Sequence, residues 1–397
     1  MEKVIVLRIG EIFLKGKNKS YFDNMLINNI KRHLTGIDYK FVKSQNRYYL
    51  EGFKEEDLDE IIDRVTKVFG LHSLSVATKV ETSEDAIKAC ILDYAPASRQ
   101  TFRITCTRAD KTFPYKSFEF AGEIGGFILE KIKGVSVDLH NPDVVISIDI
   151  REKGYTYVFA NKIMCAQGMP VGTSGKGMLL LSGGFDSPVA GWRMARRGMK
   201  ISAIHFHSYP HTSLQAKEKV IDLAKVMTEY CGDIELFIVP FTKIQESIHE
   251  NCREDFMITI MRRIMIMIAE RVANQNGCGA LITGESLAQV ASQTVESITS
   301  TNQAVELLPV FRPLIGTDKS EIINTAEKIG TAKLSELPYP DCCTVFLPDF
   351  PVIKPKLQVA IDEQAKISNL DELIQEAIDN IEYMKLKPFY VGGDDDN

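Results

Sequence analysis

Long apolar runs are missing from this sequence of 397 residues. A membrane-spanning helix needs about 18 consecutive apolar residues, and the longest candidate, Met257 to Ala269, is interrupted by Arg262 and Arg263. The first residues lead directly into a predicted strand and show no cleavage region of a secretory signal peptide. We therefore expect a cytoplasmic protein that does not enter a membrane.

Paired cysteine motifs are also missing. The chain has eight cysteines, but none forms a C-x-x-C motif and none has the Cys/His spacing of a zinc site. In a reducing compartment most of these thiols should be small, buried, hydrophobic side chains. The vicinal pair Cys342-Cys343 is the exception, because it lies in a polar stretch that contains Pro340.

A general excess of positive charge is absent, since the formal net charge of the chain is −6. That balance argues against nucleic-acid binding by the whole surface, but the charges are unevenly distributed. Residues 1–50 carry ten Lys and Arg side chains against four Asp and Glu, and the acidic excess lies after residue 170. An acidic protein can still bind RNA through a local basic face, which here would lie near the N-terminus.

The hydrophobic periodicity indicates several domains. Strand, helix, strand and strand over residues 1–57 suit a small ferredoxin-like domain, and a second α+β domain follows at 58–162. We predict a linker at 163–177 and an acidic tail at 386–397. The alternation of strands and helices over 178–385 predicts an α/β domain with a doubly wound parallel sheet, which binds ligands at the carboxyl ends of its strands.

One short motif indicates a ligand. Ser182-Gly183-Gly184-Phe185-Asp186-Ser187 follows the apolar run Met178–Leu181 and precedes an amphipathic stretch that starts at Pro188. Two glycines between a buried strand and a helix let backbone N–H groups approach a phosphate, and the helix N-terminus adds partial positive charge. The alternative is a plain glycine turn. The nearby stretch 172–177 lacks the spacing of a Walker A loop, and we interpret it as a flexible linker with Lys176 near the mouth of the site.

A basic and aromatic stretch lies at residues 99–118. Its cations are Arg99, Arg103, Arg108, Lys111 and Lys116, and its interleaved aromatic residues are Phe113, Tyr115 and Phe118. Basic side chains neutralise phosphates and aromatic rings stack on unpaired bases, so the stretch predicts an RNA-binding face. The alternative is a solvated strand and loop whose aromatic rings turn into the core.

Both stretches resemble known families. Ser182, Gly183, Gly184, Asp186 and Ser187 match the SGGxDS signature of PP-loop ATP pyrophosphatases, which have an adenine nucleotide α-hydrolase-like fold. The run from Arg108 to Phe113, with Ser117 and Glu123-Ile124-Gly125, resembles a THUMP domain, an RNA-binding module of tRNA-modifying enzymes.

Taken together, residues 1–385 resemble the tRNA 4-thiouridine synthetase (tRNA sulfurtransferase) family. The resemblance implies that 58–162 is a THUMP domain and that 178–385 is a PP-loop domain. It also implies an enzyme that uses ATP and Mg²⁺ to adenylate uridine 8 of tRNA and replaces the activated oxygen with sulfur from a cysteine persulfide. Many members also supply sulfur to thiamine biosynthesis, which would involve a sulfur-carrier protein.

The family motifs imply a set of ATP-binding residues. These are Leu180, Leu181, Ser182, Gly183, Gly184, Ser187, His205, Phe206, Arg262, Gly284 and Gln293. Asp186 would hold magnesium or orient the loop, and Lys319 is a candidate phosphate contact. Three alternatives stay open: His205 as a satisfied core histidine, Arg263 in place of Arg262, and Asp318 as a simple helix N-cap.

The resemblance places the persulfide on Cys343, with Cys342 as its neighbour. A thiolate or persulfide is a strong nucleophile at neutral pH, as attack on an adenylated carbonyl carbon requires. No cysteine follows Cys343, so the second catalytic cysteine of a rhodanese domain, which some members carry, is not expected. Sulfur should then come from an external cysteine desulfurase, and a disulfide with Cys342 stays open. The sequence leaves open whether the chain is a monomer or a homodimer.

Two other functions remain open from sequence. The chain could be a different PP-loop adenylating enzyme that acts on RNA, or a non-catalytic tRNA-binding protein that retains a nucleotide-binding fold. A THUMP-bearing methyltransferase is disfavoured, because no glycine-rich loop of that cofactor type follows a predicted strand.

Overall fold

The computed structural model describes residues 2–44, 47–151, 154–290, 292–339 and 350–391. The chain forms an N-terminal unit of residues 1–20 and 30–168 and a C-terminal unit of residues 21–29 and 169–397. Each unit contains a β-sheet of its own. Across the described ranges, no helix combines the length and the hydrophobicity that a bilayer crossing requires.

The N-terminal unit is built from short strands and helices. Its strands are β1 (Glu2–Ile9), β2 (Lys40–Ser44), β3 (Arg47–Glu51), β4 (Leu71–Glu81), β5 (Thr101–Arg108), β6 (Ser136–Val137), β7 (Val144–Ile150), β8 (Tyr155–Ala160) and β9 (Ile163–Met164). Its helices are α1 (Lys19–His33), α2 (Leu58–Thr66), α3 (Glu84–Ile91) and α4 (Ser117–Lys131), with 3-10 helices at Glu11–Asn18, Glu55–Asp57 and Leu92–Tyr94. The middle of α1 groups with the C-terminal unit.

These strands form one sheet in the order β2-β3-β1-β4-β8-β7-β5-β6, with β9 paired to β4. Neighbouring strands are antiparallel, except that β5 is parallel to β6 and β7. The elements β1-α1-β2-β3-α2-β4 follow the order of a ferredoxin-like domain. They extend to Glu81, beyond the predicted boundary at residue 57, and the domain boundaries themselves stay a prediction.

The two faces of this sheet pack differently, because side chains alternate along each strand. One face packs on α3 and α4 through a hydrophobic cluster that includes Ile87, Phe102, Ile124 and Ile148. The hydrophobic cluster on the other side contains strand residues alone, namely Val4, Val6, Val42, Tyr49, Ala77, Tyr157 and Phe159. We call this second side the strand-only face.

The C-terminal unit alternates strands with longer helices. Its strands are β10 (Lys176–Leu180), β11 (Lys200–His207), β12 (Ile234–Pro240), β13 (Leu281–Ile282), β14 (Val310–Phe311) and β15 (Glu382–Leu386). Its helices are α5 (Asp186–Arg196), α6 (Leu214–Cys231), α7 (Thr242–Asn251), α8 (Met257–Gln275), α9 (Val295–Gln303), α10 (Lys319–Ile329), α11 (Ala332–Ser335), α12 (Leu357–Gln364) and α13 (Leu370–Asp379), with 3-10 helices at Glu254–Phe256 and Phe389–Val391.

The strands of this unit lie in the order β14-β13-β10-β11-β12-β15. Strands β10 to β14 are parallel, and their buried, nearly continuous apolar sequences are typical of a sheet covered on both faces. The predicted α/β fold with a doubly wound parallel sheet is therefore confirmed. Edge strand β15, which pairs antiparallel with β12, has no counterpart in the sequence prediction.

Lys176 lies at the opposite end of this sheet from the predicted site. It is the first residue of β10, where its ammonium group pairs with Glu235 and donates to the carbonyl oxygen of Asn276 at 2.9 Å. Ligands of open α/β sheets bind at the carboxyl ends of the strands. The expectation that Lys176 lies near the mouth of the site is therefore wrong.

A buried carboxylate holds the segment that leads into β14. Glu270, on α8, accepts hydrogen bonds from the backbone N–H groups of Glu306 at 2.9 Å, Leu307 at 2.7 Å and Leu308 at 2.8 Å. Only a carboxylate accepts all three bonds and donates none at neutral pH. Glu270 therefore fixes the entry of an edge strand of the sheet.

Replacing Glu270 with Gln should lower the free energy of unfolding of the C-terminal unit by about 2–3 kcal/mol. The charge-assisted hydrogen bonds to the carboxylate are lost, and the N–H₂ group of the new glutamine faces backbone N–H groups, which cannot accept a hydrogen bond. The single tryptophan, Trp192, lies in α5, so urea unfolding followed by its fluorescence reports on this unit. Exposed Glu250 on α7 supplies the control, Glu250→Gln. Equal stability of the two variants would contradict the role of Glu270.

Candidate active site

The loop between β10 and α5 is closed by its own serines. The backbone N–H of Ser182 donates to Oγ of Ser187 at 2.8 Å, and the two hydroxyl oxygens lie 3.1 Å apart. Ser187 is buried, so its side chain shapes the loop from within. The Ser-Gly-Gly segment is thereby held at the N-terminus of α5, where backbone N–H groups and the helix dipole favour an anion.

This loop lies where the chain reverses its direction across the sheet. Strand β10 has β11 on one side and β13 on the other, and the chain visits β11 and β12 before it returns to β13. Such a switch point leaves a crevice at the carboxyl ends of the strands, because the flanking connections leave in opposite directions.

An open cleft occupies this switch point. The predicted residues that line it are Leu180, Leu181, Ser182, Asp186, Ser187, His205, Phe206, Arg262, Gly284 and Gln293. Further lining residues, which the sequence analysis does not name, are Ile204, Met265, Ile266, Thr283, Glu285 and Thr301. Gly183 and Gly184 belong to the loop but do not line the cleft wall.

Gly284 allows two backbone segments to touch. A Cβ at this position would lie 2.7 Å from the backbone nitrogen of Ser187 and 2.9 Å from the carbonyl carbon of Asp186. The segment after β13 therefore packs directly against the first turn of α5. The sequence analysis assigns Gly284 to the approach of a ligand, and the structure shows in addition that it admits the backbone of α5.

His205 and Gln293 contribute polar groups to the cleft. His205 is buried, and its Nδ1 lies 3.0 Å from the carbonyl oxygen of Leu181, so it is both a hydrogen-bonded core histidine and a cleft residue. The side-chain oxygen of buried Gln293 accepts no hydrogen bond from any residue that the structure describes. An acceptor left unsatisfied at the cleft wall suits a ligand that donates hydrogen bonds.

Glu285 links two arginines at the same edge. Its carboxylate pairs with Arg262 and accepts from Nε of Arg312 at 2.6 Å and from Oγ of Thr283 at 2.8 Å. Burial would raise the pKa of Glu285, but the charges of Arg262 and Arg312 outweigh burial, so its pKa lies below the usual value. One carboxylate shared by two guanidinium groups leaves net positive charge beside the cleft.

Arg262 points to the cleft, and Arg263 does not. Arg262 lines the cleft and also donates to Oγ of Ser292 at 2.8 Å. Arg263 is buried, and its guanidinium group donates to the carbonyl oxygen of Ser300 and to the side chains of Gln303 and Gln364. Sequence reasoning missed Arg312 and assigned no role to Glu285. The signal available was that a cation in the apolar sequence of α8 needs an acidic partner.

Asp186 and Lys319 form an ion pair beside the loop. Nζ of Lys319 lies 2.9 Å from both carboxylate oxygens of Asp186, and Gln289 donates to the same carboxylate at 3.1 Å. Lys319 is the first residue of α10, and Asp318 is its N-cap position without a side-chain cap bond. Over the ranges that the structure describes, no group of three His, Cys, Asp or Glu forms a metal cluster.

Cys342 and Cys343 lie outside the described residues, but the chain that leads to them is held beside the loop. The hydroxyl of Ser335 donates to the carbonyl oxygen of Gly184 at 3.3 Å. Nζ of buried Lys219 donates to the carbonyl oxygens of Ser335 at 3.0 Å and Leu337 at 2.8 Å. The segment before the cysteine pair therefore starts next to the Ser-Gly-Gly loop.

The other six cysteines are unsuited to nucleophilic chemistry. All are free thiols, and none is fully exposed. Burial raises the pKa of Cys90, Cys106 and Cys252 to about 11 and that of Cys165 to about 12, and it also raises the pKa of Cys278. Thiols with such pKa values are almost entirely protonated at neutral pH, and the thiol form is a poor nucleophile. Cys231 is buried as well.

The five cations predicted to bind RNA do not form one face. Arg103 and Arg108 are five residues apart on β5, so they point to opposite sides of the sheet. Arg108 donates to the carbonyl oxygens of Phe113 at 2.9 Å and Tyr115 at 2.7 Å, which makes it a brace for the following loop. The five side chains therefore do not share one surface, and their role in RNA binding stays a prediction.

The remaining members of that stretch differ in their surroundings. The backbone of Arg99 adopts the left-handed conformation, with a φ of 74°. The side chain of Arg103 donates to the carbonyl oxygen of Leu139 at 2.9 Å. Lys111 and Lys116 are exposed. Phe113 is part of the helix-side core, as the alternative interpretation expects, whereas Phe118 is 88% exposed.

Comparison with known proteins gives a consistent result. Family models match residues 4–75 (ThiI ferredoxin-like domain), 77–158 (THUMP domain) and 172–369 (Thiamine biosynthesis protein, ThiI). A "Probable tRNA sulfurtransferase" of Alkaliphilus oremlandii is 48% identical, with 97% of this chain and 99% of the relative covered. A protein of the same name from Alkaliphilus metalliredigens is also 48% identical, with 97% of this chain and 99% of the relative covered.

A solved structure, described as a 4-thiouridine synthetase–RNA complex with bound ATP, aligns with a TM-score of 0.88. It is 34% identical and covers 98% of this chain and 100% of its own. The chain belongs to the tRNA sulfurtransferase family. The resemblance seen in the SGGxDS and THUMP motifs is thus confirmed, and with it the ferredoxin-like, THUMP and PP-loop fold of a tRNA sulfurtransferase.

Substitution of Gly284 by Ala should weaken binding of ATP, the nucleotide that the motif predicts, by about 10- to 100-fold. The new Cβ must push the loop after β13 away from α5, and a misplacement of about 1 Å can cost about 100-fold in a site that depends on positioning. Calorimetric titration with ATP measures the change. Gly316→Ala is the control, because a Cβ there meets no atom within 4 Å. Wild-type affinity in Gly284→Ala would show that the close approach does not shape the site.

Proposed function

We propose that this chain is an ATP-dependent tRNA uridine 4-sulfurtransferase, which converts uridine 8 of tRNA to 4-thiouridine. The observation that carries the proposal is the Ser-Gly-Gly loop at the sheet's switch point, in a cleft that Arg262 and the Lys319-paired Asp186 also line. A phosphate-binding loop in a cleft with flanking cations suits the chemistry of adenylation. The solved relative binds both RNA and ATP.

In the first step, the uridine 4-carbonyl oxygen attacks the α-phosphorus of ATP and pyrophosphate leaves. Backbone N–H groups of the loop and the N-terminus of α5 are fixed before the reaction, so they stabilise the departing negative charge without reorganisation. Arg262 is held by Glu285 and Ser292 beside the same space. A bidentate guanidinium suits phosphate oxygens. Gln293 offers its unsatisfied oxygen to a ligand donor group.

Asp186 is the residue that fits a magnesium ion. Mg²⁺ in nucleotide sites is commonly held by one or two carboxylates together with substrate phosphates, and Asp186 lines the cleft. Lys319 already neutralises this carboxylate. The ion would compete with Lys319 for Asp186, and the freed ammonium group would then be available to a phosphate. Bound magnesium supplies charge neutralisation of the phosphates.

In the second step, sulfur replaces the activated oxygen. The terminal sulfur of a persulfide on Cys343 attacks C4 of the adenylated uridine, and AMP leaves with the former 4-oxygen. The Cys342 thiolate then attacks Sγ of Cys343, which releases 4-thiouridine and leaves a Cys342–Cys343 disulfide for a thiol reductant. The high thiol pKa values of the buried cysteines support the assignment of this chemistry to the pair. A cysteine desulfurase would reload Cys343.

The other partners follow from the same proposal. The N-terminal unit, with its THUMP match, would bind tRNA. The family model that matches residues 172–369 is described as a thiamine biosynthesis protein. That description favours a second acceptor, a sulfur-carrier protein that takes the same persulfide sulfur. A homodimer is also proposed, and sedimentation would test it.

Reconstitution tests the proposal directly. The chain is incubated with unmodified tRNA, ATP, magnesium, cysteine and a cysteine desulfurase, and the digested nucleosides are analysed for 4-thiouridine. Formation of the product only with ATP supports the proposal. ATP–pyrophosphate exchange without thiolation would indicate another adenylating enzyme, and tRNA binding without exchange would indicate a non-catalytic binding protein.

Asp186→Asn should reduce tRNA-dependent pyrophosphate release by about 10²- to 10⁴-fold, because the substitution keeps the shape but removes the charge that holds Lys319 and magnesium. Affinity for tRNA should stay within about twofold, since the carboxylate lies in the nucleotide cleft. Exposed Asp318→Asn is a matched control, as Asn caps helices as well as Asp does. Unimpaired release by Asp186→Asn would remove this residue from the mechanism.

The two cysteine variants should differ. Cys343→Ser should stop formation of 4-thiouridine yet retain tRNA-dependent pyrophosphate release, because a serine hydroxyl cannot deliver sulfur. Cys342→Ser should slow turnover, and excess dithiothreitol should restore it, because an external thiol can release the product. Nucleoside analysis and pyrophosphate assays separate the two steps. The reverse pattern would place the persulfide on Cys342, and an active double variant would exclude a persulfide on this chain.

A further inference from the structure

The strand-only face of the N-terminal sheet carries a group of arginines that the RNA motif does not include. Arg8 on β1 lies directly opposite Arg47 on β3 in the strand register. Arg151 follows the end of β7 and is buried. Three guanidinium groups thus converge on one part of this face.

One carboxylate lies among these cations. Asp149, on β7, is almost completely buried, pairs with Arg47 and accepts from Nη2 of Arg151 at 2.9 Å. A single carboxylate between two arginines leaves the group positively charged. Neighbouring like charges destabilise a folded protein unless an opposite charge is near.

Arg8 has one N–H₂ group that lacks an acceptor within the described part of the chain. Its Nη1 donates to Oγ of Ser75 at 3.1 Å, and its guanidinium carbon lies 4.8 Å from the ring centre of Phe159. Its Nη2 is buried and meets no acceptor among the residues described by the structure. Burial and then the charge of Arg47 lower the pKa of Arg8 to about 10. Both observations indicate a cation that lacks a full counter-charge.

Two further cations flank the group. Lys162 is exposed and directly follows Asn161, whose carbonyl oxygen accepts from Oγ of Ser75 at 2.7 Å, the same hydroxyl that Nη1 of Arg8 contacts. Arg103 lies on β5 with its side chain on the strand-only side. Lys162 therefore offers a solvent-accessible cation next to the buried arginines, where an incoming anion would meet it.

We propose that Arg8, Arg47, Arg151 and Lys162 form a phosphate-binding site that takes a backbone phosphate of the tRNA substrate. Guanidinium groups bind phosphate oxygens through paired N–H donors, and the side chain of Arg47 is 22% exposed, so the group reaches solvent there. The nearby rings of Tyr49 and Tyr157 are buried and stack on each other at 4.6 Å, so they present no free surface to a base. The site therefore suits a phosphodiester. The inference rests on tRNA as the substrate of the proposed function.

Two substitutions test this site in the full-length chain. Arg8→Gln removes the incompletely bonded cation, and Lys162→Gln removes the exposed one. Lys54→Gln is the matched control, because Lys54 is an exposed lysine of the same unit whose partner is Glu56. Circular dichroism and ATP binding confirm that each variant is folded. If Arg8→Gln does not fold, exposed Lys162 still carries the test.

The measurement is the Kd for unmodified tRNA between about 50 and 200 mM salt. Arg8→Gln should weaken binding about tenfold, since a charge-assisted bond is lost. Each substitution should lower the slope of log K against log salt by about one. In the thiolation assay the KM for tRNA should rise while kcat stays unchanged, because a contact equal in ground and transition states is lost. Lys54→Gln should match the wild type.

Folded variants with the wild-type Kd and salt slope would overturn the inference and leave the arginines as a structural ion network. The proposed function has a separate readout. If the wild type forms no 4-thiouridine but its tRNA affinity still depends on Arg8 and Lys162, the enzymatic proposal fails and the phosphate site stands. If the wild type thiolates tRNA and the variants bind normally, the site alone is excluded.

Discussion

The cleft of the C-terminal unit depends on the contact between Gly284 and the first turn of α5. At this switch point the connections after β10 and β13 leave in opposite directions, and a side chain at position 284 would hold them apart. Because Gly284 has no Cβ, the following residue, Glu285, reaches the same edge as the Ser-Gly-Gly loop. Glu285 in turn places Arg262 and Arg312 there. The electrostatics of the cleft thus follow from one close backbone approach.

The parts of the site that local sequence predicts are those built by consecutive residues. The hexapeptide from Ser182 to Ser187 contains the end of a strand, the tight loop and the start of a helix, so its geometry is encoded within one short segment. Residues at the ends of β10, β11 and β13 then line one cleft for a simple reason. Parallel strands end at the same edge of a sheet, so motifs far apart in sequence meet there.

Contacts between distant side chains could not be predicted in this way. Lys319 bonds to Asp186 across 133 positions, and Arg312 reaches Glu285 across 27. Composition also does not show in which direction a charged side chain points. Arg103 and Arg108 belong to one basic stretch, yet side chains alternate between the two faces along β5 and so place them on opposite faces. Arg108 donates to the carbonyl oxygen of Phe113 and so stabilises its own loop. Lys176 failed as a site residue because it precedes the apolar run that starts at Met178, whereas ligands bind at the carboxyl ends of the strands.

The two proposed phosphate sites use different donors, and the difference follows from their tasks. In the cleft the phosphate reacts, so fixed backbone N–H groups and a helix N-terminus are favourable: they need no reorganisation when charge develops. On the strand-only face a substrate phosphate only has to be held and later released. Arginine and lysine side chains suit that task, because their contacts are strong at low salt and weaken as counterions compete. A small cationic site is then sufficient to hold one backbone phosphate. A chain with a net charge of −6 can therefore bind RNA without a surface that is basic overall.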